Sequence, residues 1–90
     1  INQVVDHSAP EEFEQKVISL IRGVEEVKEI NSLKTRQFGN RYYVELEIAI
    51  DPNLTVKQGH DIAKRVHDKI EQDFPDIKHC MVHVDPFEEE

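Results

Sequence analysis

Residues 41–50 read Arg41-Tyr42-Tyr43-Val44-Glu45-Leu46-Glu47-Ile48-Ala49-Ile50. Successive side chains of an extended chain point to opposite faces. Tyr42, Val44, Leu46, Ile48 and Ile50 therefore share one apolar face, and Arg41, Tyr43, Glu45, Glu47 and Ala49 share the other. A strand of this kind belongs in a sheet whose apolar face is covered and whose polar face is not.

The flanks supply the cover. Downstream, Asp51-Pro52-Asn53 reads as a loop, and Thr55-Val56-Lys57-Gln58 as a capping box that opens a helix. Ile62, Ala63, Val66, Ile70 and Phe74 form its apolar stripe, and Pro75 stops it. A last strand follows, His79-Cys80-Met81-Val82-His83-Val84-Asp85-Pro86. Cys80, Val82 and Val84 face one way; His79, Met81, His83 and Asp85 face the other. Upstream, Gly39-Asn40 marks a turn, and residues 24–36 read as the preceding strand. Val27, Ile30 and Leu33 recur at every third position there, which predicts a bulge or a late start. Before it, Ser8-Ala9-Pro10-Glu11 resembles a helix start, with Ser8 as cap and Glu11 completing a Ser-x-x-Glu box. Phe13, Val17, Leu20 and Ile21 then lie on one helical face, and Gly23 closes the helix.

The order is helix, strand, strand, helix, strand. The economical packing is an α+β, ferredoxin-like αββαβ sandwich with both helices on the apolar face of a three-stranded sheet. Residues 1–8 read as a lead-in, 9–86 as the domain and 87–90 as an acidic tail. Ninety residues make one small domain, and burial at this size is limited enough that a partner chain or a metal would help. The formal net charge of -8 argues against nucleic acid and anionic membranes and is compatible with binding cations. One cysteine excludes an internal disulfide and a Cys-based zinc knuckle, and Cys80 reads as a small buried hydrophobe. The chain begins at Ile1 and reads as a fragment of something longer.

Five histidines in this length are many. His83 beside Asp85 on a surface the core does not need is the start of a site for zinc or a similar divalent ion. Glu47 lies on the non-core face of its strand and offers a carboxylate. His60 opens the second helix. His67, seven residues on, projects from nearly the same side and extends a site built from His60. Each has a plainer reading: Glu47 as a solvated strand residue, His60 as a half-exposed first-turn residue, His67 as a helix flank, His7 and His79 as solvated. Nothing in the residues alone forces them together. Asp6-His7-Ser8 cannot form a catalytic triad, because consecutive residues do not converge in space. Phosphate-cradling glycine loops and His-Glu-x-x-His are absent from the sequence.

Taken together, Leu33-Lys34-Thr35-Arg36-Gln37-x-Gly39, a strand ending in Asp51, Leu54-Thr55-Val56-x-Gln58-Gly59-His60, Phe74-Pro75 and Val82-His83-Val84-Asp85-Pro86 resemble the cytoplasmic C-terminal domain of cation diffusion facilitators. These membrane proteins export zinc and related divalent cations. Val5-Asp6 and Pro10 resemble the segment leaving that family's last membrane helix. The resemblance implies a V-shaped homodimer below the membrane, with metal sites on or near the interface. His60 matches the family's His at the helix start, and His83 and Asp85 match its His-x-Asp. Glu47 and Asn31 fall where some zinc-exporting members carry histidines; a carboxylate can replace an imidazole at Glu47, whereas the Asn31 amide is a poor zinc ligand.

The expectation is a non-enzymatic, metal-sensing dimerisation domain of a divalent-cation exporter, attached to a membrane domain. Its ligands are His83, Asp85, His60 and Glu47, with His67 and Asn31 weaker. Zn2+ is the first expected ion, and Mn2+, Fe2+ and Cd2+ are alternatives. Manganese gains from the oxygen donors at Glu47 and Asn31. Two other readings remain: a dimerisation module indifferent to metal, and a stand-alone ferredoxin-like domain for a small molecule or anion.

Overall fold

The computed structural model describes residues 8–89. It contains helix α1 (Glu11–Arg22), strands β1 (Glu29–Phe38) and β2 (Arg41–Ile50), helix α2 (Val56–Asp73) and strand β3 (Ile77–Pro86). The sheet order is β1-β2-β3, with β1 and β2 antiparallel and β2 and β3 parallel. This is the expected αββαβ order. Gly39, at φ 62, makes the tight connection between β1 and β2. A parallel pair needs a long crossover, and α2 supplies it.

The β2 alternation places Val44, Leu46 and Ile48 in the interior with no exposed surface. Val17 and Ile21 of α1 and Ile62, Val66 and Ile70 of α2 close over them, together with Ile77 and Cys80 of β3. Both helices thus cover one face of the sheet. At one end, Phe13 stacks on Tyr42 at 4.2 Å between ring centroids and meets Phe74 edge-on at 5.4 Å. The Thr55 capping box forms as read: Gln58 N–H donates to Thr55 Oγ1 at 3.0 Å, and Thr55 N–H to Gln58 Oε1 at 2.9 Å. Gly59 lets this end of α2 approach β2 closely, since a Cβ there would lie 3.2 Å from Ile50 Cδ1.

Two expectations are corrected. Residues 24–28 are not strand. Val24 N–H bonds Ile21 O and Val27 N–H bonds Val24 O, so this stretch is a turn. Val24 is buried and Val27 packs against the core from that turn, which explains apolar positions with no period of two. The bulge is present as well. Pairing passes from Ile30 with Ile48 to Ser32 with Glu47, leaving Asn31 as the extra residue.

The second correction concerns α1. Its N-cap is Pro10, which makes no side-chain cap, and Ser8 is exposed. The entry to α1 is held from the sheet instead: Ala9 N–H donates to Thr35 Oγ1 at 3.0 Å, and Thr35 donates in turn to Glu14. Thr35 is the one buried polar residue among the described residues. Gly23 does end α1, in the right-handed region (φ -79), so its freedom from a side chain is not what the cap uses. At the other terminus, Phe87 N–H still bonds Ile50 O at 2.7 Å. His7, Asp6 and the rest of residues 1–7 lie outside the described residues.

Candidate metal centre

Among the described residues no helix covers the second face of the sheet, and its side chains line up in rows across the three strands. One row is Ser32, Glu47 and His83; the next is Glu29, Ala49 and Asp85. Parallel neighbours stand about 4.8 Å apart in backbone, so Glu47 and His83 are side by side. Asp85 follows two residues on. His83 and Glu47 are exposed, and Asp85 is half-buried.

Asn31 enters this site because of the bulge. Its Nδ2 donates to Asp85 Oδ2 at 3.3 Å, although β1 and β3 are separated by β2. The contact passes over Ala49, whose side chain is a single methyl. Ala49 faces the polar side yet is 2% exposed. The bridge above it accounts for that burial.

The helix histidines are elsewhere. α2 packs on the opposite, apolar face of the sheet, and His60 sits exposed in its first turns. His67 faces carboxylates of its own helix, with Nδ1 3.4 Å from Asp68 and Nε2 3.4 Å from Glu71. The Lys64 ammonium, with His67 second, holds the Asp68 carboxyl below its usual range. Among the described residues, no three His, Cys, Asp or Glu side chains converge on a point where an ion would sit. The outer face thus carries an imidazole, two carboxylates and the Asn31 amide near one another, short of a converged set. Imidazole and carboxylate donors suit zinc, manganese and iron. A residue absent from the sequence-based ligand set also stands here. Met81 Sδ lies 3.1 Å from His83 Nε2. The His-x-Met-x-His alternation on one strand face was the available signal.

Comparison with known proteins places the chain in a family. Residues 9–87 match the family described as "Cation efflux protein, cytoplasmic domain". The manganese efflux system protein MneP of Bacillus subtilis is 29% identical over the whole chain, which spans 30% of MneP. Metal tolerance protein 7 of Oryza sativa is 31% identical over 94% of the chain, which spans 22% of it. The chain thus spans under a third of these curated relatives. Among solved structures, a nickel form of the MamM CTD superposes with a TM-score of 0.83 at 23% identity, covering 88% of this chain and 100% of that one. A manganese form of the MamM CTD gives 0.81 at 23% identity, covering 86% and 98%. At such identities these two likenesses establish the ferredoxin-like fold alone. The family match, which takes in both helices, the bulged hairpin and the His83–Asp85 strand, establishes that the chain belongs to the cation efflux proteins as their cytoplasmic domain.

Proposed function

We propose that this domain senses cytosolic divalent metal for an efflux transporter and does so as a homodimer. The observation that carries the reading is the row of Glu47 beside His83, with Asp85 next along, on the open face of the sheet. A second copy supplies a further donor, and His60, exposed on the other layer, is the donor available to it. His83 and a carboxylate then hold the ion from one side and His60 of the second copy from the other.

An ion bound this way has a higher affinity for the closed pair of domains than for the open one. Differential affinity is what shifts a two-state equilibrium. Without metal, two copies of a domain of formal charge -8 repel each other. The domain catalyses no reaction of its own. Transport takes place in the membrane part of such proteins.

Histidine with carboxylate is compatible with zinc. Glu47, Asp85 and the Asn31 amide make the donor set rich in oxygen, which favours manganese. The manganese efflux activity named for MneP points the same way. The test is a calorimetric titration of the metal-stripped domain with zinc and with manganese, repeated on His83→Ala. Saturable binding that disappears in the variant is expected. Equal affinity in the two proteins, or none in either, overturns the reading and leaves a dimerisation module indifferent to metal.

A further inference from the structure

Methionine is a core-filling residue, yet Met81 is 38% exposed on the outer face of β3. Its thioether sits 3.1 Å from His83 Nε2. Glu45 lies beside Met81 and Glu47 beside His83, with Lys34 in line with Glu45. The chain's other sulfur, Cys80, points into the core on the opposite face. A soft donor and an imidazole nitrogen are thus paired in the open, within one protomer and next to carboxylates.

We propose that Met81 Sδ and His83 Nε2 form a two-donor site for a soft monovalent cation of the Cu(I) or Ag(I) class. A thioether selects soft ions and is a poor ligand for manganese or other hard cations. Even with bonds as short as zinc's, about 2.0 Å to nitrogen and about 2.3 Å to sulfur, donors at the observed separation reach one ion at roughly a right angle. Rotation of the unbranched methionine side chain opens that angle toward the linear arrangement such ions accept. The neutral imidazole directs the Nε2 lone pair at the ion and keeps its proton on Nδ1. Both donors come from one chain, so binding is one ion per protomer with no second copy required.

The site stands on this contact and not on the divalent reading; only the consequence joins the two. Both ions need His83, so a soft ion bound there excludes a divalent ion and uncouples the dimer from it. The domain thereby distinguishes ions by softness as well as by charge.

Met81 is the only methionine, so a 13C-methyl label gives a single resonance. The experiment titrates Ag(I), in chloride-free buffer, into the wild type, Cys80→Ala, Met81→Leu and His83→Ala, and zinc into each in parallel. The methyl resonance is expected to move and saturate at one equivalent in the wild type and in Cys80→Ala. Met81→Leu should weaken Ag(I) at least tenfold and leave zinc within twofold. His83→Ala should lose both ions. A methyl resonance that does not move, movement that requires Cys80, or undiminished Ag(I) affinity in Met81→Leu or His83→Ala overturns the proposal. Ag(I) lost in Met81→Leu, with no zinc bound by the wild type, instead overturns the divalent reading and supports this one. Met81 and His83 are exposed and Cys80 is buried, so circular dichroism checks that each of the three variants folds.

Discussion

The Asn31–Asp85 hydrogen bond is a single contact that depends on two other residues. The bulge turns Asn31 onto the polar face, and Ala49 leaves room for the reach over β2. Asn31→His replaces a weak metal donor by a strong one beside Asp85. It should tighten zinc about tenfold, or about 1.4 kcal/mol, measured by competition with a chromophoric chelator; unchanged affinity would show that Asn31 points away from the bound ion. Cys80 makes a different kind of statement. Burial, with Glu71 second, pushes its thiol up to about 11 from 9.0. The folded state holds that proton more tightly than the unfolded chain does. Stability is therefore intact below about pH 9 and falls as pH rises toward 11, by on the order of 2 kcal/mol. Urea unfolding from pH 8 to 11 should show this loss in the wild type. It should be missing from Cys80→Ala.

At the scale of elements, the two helices begin in different ways. α2 has a complete capping box at Thr55 and Gln58. Thr55→Ala should cost about 1 kcal/mol, which lowers the melting temperature of a domain this size by about 4–8 °C. α1 has no side-chain cap and is held through Thr35. Ser8→Ala should therefore change stability by less than about 0.5 kcal/mol. Calorimetric melting of the two variants side by side separates a cap that forms from one that only the sequence pattern suggested. The Ser-x-x-Glu pattern at Ser8 was misleading because a local motif competes with tertiary bonds. Here the Ala9 N–H and the Glu14 carboxylate found Thr35, far along the chain.

For the whole molecule, charge is the dominant property. The formal charge is -8, and the proposed ligands include carboxylates. If repulsion holds two metal-free copies apart, salt should do part of what metal does. Going from about 0.01 M to about 1 M salt shortens the screening length from about 30 Å to about 3 Å. Small-angle scattering of the metal-free dimer should then show a radius of gyration that falls toward the metal-loaded value. A radius indifferent to salt would count against charge repulsion as what holds the proposed dimer open.

Strands, helices and their buried faces were legible in the sequence because each rests on a local period. The β2 alternation, the α2 stripe and box, and the shared face of His83 and Asp85 needed no knowledge of distant residues. The family was legible too, because its motifs are short and lie in order along the chain. The broken period before β1 pointed to a bulge or a late start, and both occur; it could not place the start at Glu29, because apolar residues in a turn can pack on a core as well as those in a strand. What only the tertiary structure decided was register. Glu47 stands beside His83 because β2 and β3 pair in parallel across the whole of α2, and Asn31 reaches Asp85 because a bulge shifts β1 by one residue. Pairing across such distances is chosen by the total burial of one sheet face, a sum over three strands and two helices that no local stretch of sequence contains.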